Sequence, residues 1–184
     1  GTKSSEIETF VHLYKKELSL DDLRYNFKIV AGEEICFFYN VNNYENKVEK
    51  SGDTLSQSCM RYDEKGRHIK FYSYFPDKIR LGVLTNKYGK LIARCLIWNA
   101  DNGNTYYDRI FSSSEATKLI FINKLTAQGF DPCYPNLGME ESFFKNVEVT
   151  LYKVDASSPE MPYLDTINFL KRDTCTLMSV YHEK

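Results

Sequence analysis

The chain lacks any apolar run approaching the roughly 18 to 20 residues that a helix needs to cross a bilayer, and its polar, amphipathic start has no signal-peptide core. It therefore reads as a soluble, intracellular protein. An excess of one charge is also missing: 24 Lys and Arg against 25 Asp and Glu leave a net charge of -1 and a pI near 6.4. That balance excludes the global basic field which dominates binding to a phosphate backbone, so a nucleic-acid partner would need a local patch. The five cysteines (Cys36, Cys59, Cys95, Cys133 and Cys175) are odd in number, widely spaced and without a C-x-x-C pair. They predict reduced, largely buried thiols rather than a disulfide framework. Neither these cysteines nor His12, His68 and His182 have metal-ligand spacing, so no metal and no cofactor is expected. Internal repeats and low-complexity segments are absent too.

What the chain has in plenty is aromatic side chains. Its 14 Tyr and 12 Phe help raise the aromatic fraction to 15%, which favours β-structure and large buried contacts. With 184 residues the chain is the size of one domain, with or without an added helix. Ile7, Phe10, Val11, Tyr14 and Leu18 recur at helical spacing after a capping Ser4 or Ser5, and a short helix is expected over Asp21 to Phe27. Residues 1–30 thus read as an N-terminal helical segment. Gly1 in place of Met fits a tag scar or a fragment of a longer parent chain, and residues 31–184 read as a single domain.

Within that domain, Phe27 to Val30 reads as a strand ending at Gly32, Glu33 to Tyr39 as a short helix, and Asn40 to Asp53 as a polar, mobile linker. Ile69 to Tyr74 alternates like a strand. Arg80 to Thr85, Leu91 to Trp98 and Thr105 to Phe111 form a meander divided by the turns Asn86 to Lys90 and Asn99 to Asn104. Ser112 to Glu115 starts a helix that ends at Gly129. Val147 to Tyr152 is a late strand suited to pairing with the sheet, and Thr174 to Val180 is a short one. The fold class expected is α+β: a mixed, mainly antiparallel sheet of about five or six strands with packed helices.

Four segments carry the residues with chemical potential. Cys59 precedes Arg61 by two positions, and a neighbouring guanidinium favours the thiolate, which makes it a candidate nucleophile. No histidine is placed to serve it as a base, so a packed cysteine is the plainer reading. Arg94 lies in an apolar strand whose alternation puts it on one face with Leu96 and Trp98, opposite Ala93, Cys95 and Ile97. A buried arginine must be paired or must line a cleft. The plainer expectation is an ion pair with Asp108 on the next strand; the other is a site where Arg61, Arg94 and Arg109 bind a carboxylate, phosphate or other anion. Asp165, in Pro162 to Thr166, reads as a turn residue accepting backbone hydrogen bonds. Lys65 to Lys70 with Phe71, Tyr72 and Tyr74 has the ingredients of a single-strand binding surface, diluted by Asp63, Glu64 and Asp77.

In this order and with these separations, Asn43-Tyr44, Gly52 to Arg61, Arg94 to Trp98, Asp108 to Ile110 and Pro162 to Thr166 resemble the boxes of a family of uncharacterised bacteriophage and prophage proteins. Asp53 is an insertion relative to that pattern, and Ala93 stands where a glycine is usual. The resemblance implies a viral or mobile-element origin and a place in the host cytoplasm, and it brings no established activity. A weaker, topological resemblance links the meander and its following helix to N-acetyltransferases. It implies acetyl-coenzyme A on the Ser112 to Ser114 loop with Asp108 or Tyr107 near the chemistry, although this loop has no glycine and Glu115 follows it. The expected function is a non-catalytic binding domain with an Arg/Asp-lined polar site formed from Arg61, Arg94, Trp98, Arg109 and Asp165. Its ligand would be a host protein, a nucleic acid or a small anion. The alternatives are an acetyltransferase-like enzyme, or a thiol enzyme using Cys59.

Overall fold

The computed structural model describes residues 24–61, 66–134, 147–151, 166–171 and 176–179. Strand β1 spans Tyr25–Ala31, helix α1 Glu34–Tyr39, helix α2 Gly66–Ser73, β2 Ile79–Asn86, β3 Leu91–Asn99, β4 Thr105–Tyr107, β5 Phe111–Ser112 and helix α3 Glu115–Ala127. Then follow β6 at Asp131–Pro132, β7 at Glu148–Thr150, β8 at Ile167–Lys171 and β9 at Thr176–Ser179. The fold is α+β. A six-stranded sheet runs β1-β2-β3-β4-β6 with β5 also on β3, all antiparallel except the β4–β6 pair. Helix α3 lies in the connection between these two parallel strands, as a parallel pair requires a crossover.

Alternation along β3 sends its side chains into two separate cores. Ala93, Cys95 and Ile97 join Leu84, Tyr107, Ile110 and the Ile120, Phe121 and Leu125 face of α3. Leu96 and Trp98 join a larger core with Ile35 and Phe38 of α1, Ile69 and Tyr72 of α2, and Tyr44. A register shift at Ile92 lets Leu91 face the larger core while Ile92 joins Ala93 on the other side. Helix α3 approaches the sheet closely: a Cβ on Gly82 would lie 3.2 Å from Phe121 and 3.3 Å from Leu125. The helix opens on a reciprocal Ser114–Thr117 capping box. It closes at Gly129, whose φ of 77° lets the amides of Gly129 and Phe130 reach back to Thr126 and Leu125.

Several expectations are corrected. Ile69 to Ser73 belongs to helix α2, with Tyr74 in the turn that follows, because Ile69 and Tyr72 repeat at three residues and Phe71 packs on Phe75 four residues on, at 5.3 Å between ring centroids. Phe71 and Tyr72 are buried there, so neither is available as a stacking platform for bases. Tyr25 to Phe27 is strand rather than helix, and β1 therefore crosses the expected boundary at Val30. The late strand β7 pairs with β9, which also holds β8, in a second, three-stranded sheet. That sheet adds Val149 and Leu177 to the larger core, and Asp101 ties it to the β3–β4 turn through the Thr150 amide and hydroxyl at 2.9 and 2.6 Å. The 40–53 segment is tied down: Tyr44 bridges to Leu91, and the buried Asp53 carboxylate accepts from Asn46 and the Ser56 amide. The amphipathic segment before residue 24 lies outside the described residues.

Candidate functional site

A bulge in the meander arranges the polar residues. Ile97 pairs with Tyr107 and Arg94 with Phe111, so the three residues Asp108 to Ile110 lie opposite only Cys95 and Leu96. The extra residue lets Asp108 and Phe111 both face the larger core although their spacing is odd. It also turns half-buried Arg109 outward, its guanidinium carbon 5.1 Å from the Phe111 ring centroid and 5.6 Å from that of Tyr134.

The expected Arg94–Asp108 ion pair does not form. Asp108 is buried and uses one oxygen to accept from the Trp98 indole N–H at 2.9 Å and the Thr166 hydroxyl at 2.8 Å, while the other accepts from the Arg109 amide. Trp98 is fully buried, and an indole N–H in such a place requires an acceptor. Trp98 and Asp108 thus form an internal brace between β3 and the bulge. Asp165 lies outside the described residues; its neighbour Thr166 completes that brace.

Arg94 is 2% exposed and has no carboxylate partner among the described residues. Its Nη2 donates to the Ser58 hydroxyl at 2.9 Å and its Nε to the Tyr44 hydroxyl at 3.3 Å. The guanidinium carbon sits 3.9 Å from the centroid of the Tyr39 ring and 4.9 Å from that of Phe111. Burial opposes the charged form of Arg94, but Tyr44 and Tyr39 beside it outweigh that effect and the net direction is upward. Burial likewise pushes the Tyr39 hydroxyl up to about 12 against the pull of Arg94, leaving a neutral phenol under a cation. Cation–π contacts in a desolvated place contribute about 2 kcal/mol or more. A buried cation without a counter-charge still costs several kcal/mol.

In front of this cation opens a cleft of about 350 Å³, lined by Thr54 and residues 57–60 on one wall and by Arg109 and Phe111 on the other. Ser58 and Phe111 are thus shared between cleft and arginine. Ser58 is 4% exposed and its oxygen accepts from Arg94 and, at 3.4 Å, from the Met60 amide, while its own proton has no acceptor among the described residues. Cys59 lines the same cleft and is exposed, which corrects the expectation of a packed thiol. The short 3-10 turn Cys59–Arg61 projects the thiol outward while burying Arg61. Cys95 and Cys133 are buried, and burial pushes their thiols well above the ordinary range, with Asp108 acting in the same direction.

Arg61 serves elsewhere. Its Nη1 donates to the Lys47 carbonyl at 3.1 Å and its Nη2 pairs with Glu49 at 2.9 Å, holding the 47–49 loop against the domain. The structure therefore brings Cys59 and Arg109 to one cleft, sets Arg94 beneath it, and puts Trp98 and Asp108 in a brace behind. Sequence reasoning passed over Ser58, Tyr39, Tyr44 and Phe111. Ser58 and Tyr44 stood inside the quoted boxes, and an arginine within an apolar strand was the signal that polar companions had to exist.

The Ser112 to Ser114 loop makes a poor pyrophosphate cradle. The amides of Ser112, Ser113, Ser114 and Thr117 donate to Thr54 Oγ1, the Ile92 carbonyl, Thr117 Oγ1 and Ser114 Oγ respectively. Among the described residues no cluster of His, Cys, Asp and Glu could hold a metal ion, and no helix is long and apolar enough to cross a membrane. Fold and site together define an α+β domain with a small cleft backed by a buried arginine. No known family, curated protein or solved structure matches the chain.

Proposed function

We propose that this is a non-catalytic binding domain whose cleft takes a small anionic ligand, acting in a host cytoplasm as an accessory protein of phage or prophage origin. The phage origin rests on the resemblance of the five sequence boxes. The binding reading rests on one observation above the others: Arg94 is a buried cation with no carboxylate partner among the described residues, and it reaches the cleft through a serine whose proton is available to an acceptor. An anion in the cleft, which Arg109 also lines, would accept from Ser58 and supply the charge that Arg94 lacks. A second polar groove, between residues 44–50 and Asn86 and Lys90, also touches Arg94 through the Tyr44 hydroxyl, but it carries Glu45 and Glu49 among its lysines, which disfavours an anion there.

Calorimetric titration of the whole chain with inorganic phosphate, pyrophosphate and citrate, at fixed ionic strength against chloride, tests this reading. At least one of the three should bind, and Ser58→Ala or Arg109→Gln should each weaken it about tenfold, the effect of a charge-assisted hydrogen bond. If none of the three binds at millimolar concentration, the reading is wrong.

A further inference from the structure

The cleft in front of Arg94 has two demands, one of charge and one of shape, and an inorganic anion meets only the first. Arg94 is a single buried cation without a carboxylate partner among the described residues, so one negative charge is enough to balance it. The apolar part of the lining is Met60 on one wall and Phe111 on the other. Both are half-buried and pack against the larger core, so they stand in place before any ligand arrives. The Phe111 ring is held further by two guanidinium groups, with the carbon of Arg94 4.9 Å and that of Arg109 5.1 Å from its centroid. A phosphate ion in the cleft would leave the thioether and the ring facing water. We infer that the ligand class of this cleft is an aromatic monocarboxylate, whose carboxylate sits at Ser58 in front of Arg94 and whose ring lies between Met60 and Phe111. This rests on the anion-binding reading above and names the body that carries the charge.

Each wall favours a flat ring for its own reason. The thioether of a methionine is polarizable and makes favourable contacts with the edge of an aromatic ring about 5 Å away. A phenylalanine adds an offset or edge-to-face contact, which a saturated body of the same size does not obtain. Thr54 and Gln57 complete the polar side of the lining with neutral groups and so set no second ionic demand. The cleft volume of about 350 Å³ lies at the small end of the range of ligand sites, which suits a single small molecule.

The test titrates the full chain with benzoate, cyclohexanecarboxylate and acetate, three monocarboxylates of equal charge, at fixed ionic strength in a calorimeter. Benzoate should bind about tenfold more tightly than acetate, with cyclohexanecarboxylate between them, and it should displace whichever of phosphate, pyrophosphate or citrate the chain binds. Met60→Gln keeps the length of the side chain and removes the sulfur; Phe111→Leu keeps an apolar wall and removes the ring. Each should cut the advantage of benzoate over acetate to about threefold or less, with the affinity for the inorganic anion unchanged. Benzoate that binds no better than acetate or cyclohexanecarboxylate, that fails to displace the inorganic anion, or whose advantage survives in both variants overturns the inference. Binding of phosphate, pyrophosphate or citrate alongside any of those results defeats the aromatic class alone. Absent binding of all the anions removes the cleft reading with it.

Discussion

The two faces of strand β3 make an instructive pair. On the α3 side, Ala93, Cys95 and Ile97 meet Phe121 and Leu125 in a core built almost wholly from hydrocarbon. On the other side the same strand buries Arg94 and an indole that needs a carboxylate. Both faces are dry, and burial alone does not distinguish them. The difference is that one face holds the fold together with side chains that carry no charge, whereas the other carries a charge whose desolvation cost aromatic rings offset only in part. On this account the α3 face serves stability, and the Arg94 face keeps a cation ready for a ligand.

The largest way to break that division is on the α3 face. Phe121→Ala removes a fully buried ring, and equilibrium unfolding should show a loss of about 3–5 kcal/mol. Where the variant is still folded, its affinity for phosphate, pyrophosphate or citrate should be unchanged, because no residue of α3 lines the cleft. Next comes the brace behind the arginine. Asp108→Ala strands the Trp98 N–H and the Thr166 hydroxyl without their shared acceptor and should cost about 2–4 kcal/mol. Trp98 is the single tryptophan, so its emission reports both the unfolding and the altered surroundings of the indole.

The smallest effect is expected at Asp101, which does not line the cleft. Burial raises its pKa, but the bonds from Lys78 and Thr150 outweigh burial and hold it below the ordinary 3.8. A carboxyl depressed in the folded state stabilises above its unfolded value, and that contribution fades as pH falls through the folded one. Asp101 is partly exposed, so its pairing contributes about 0.5–1 kcal/mol. Urea midpoints of the native chain and Asp101→Asn should differ at pH 7 and converge as pH falls below the ordinary carboxylate range, with anion binding at pH 7 the same in both.

Much of this architecture was legible because period-two alternation and turn chemistry act locally. The β2–β3 hairpin, the start of α3 at Ser114 and its end at Gly129 follow from residues adjacent in sequence. The face assignment of Arg94, Leu96 and Trp98 was legible for the same reason. Helix α2 was not: six residues from Ile69 to Tyr74 fit both periods, and its packing partner Phe75 lay just beyond them. The partner of Arg94 was hidden more deeply. Charge complementarity on neighbouring strands points to Asp108, but the bulge at Asp108 to Ile110 and the hydrogen-bond demand of Trp98 decide otherwise, and neither can be read from charge. Ser58 arrives from 36 residues away in sequence, beyond the reach of any local pattern.

The division between the two faces is tested most directly by Arg94→Met, which keeps most of the side chain's bulk and removes its charge. Thermal unfolding would be followed with and without a saturating amount of the anion that the native chain binds. If the charge is held for a ligand, the variant without anion should melt within about 4 °C of the native chain or above it, since replacing an unneutralised buried charge by a packed apolar side chain is often neutral or stabilising. The rise in melting temperature that the anion gives the native chain should then vanish. A variant that melts far lower without anion, or one that keeps the full anion-dependent rise, would show that Arg94 belongs to the fold and not to the site.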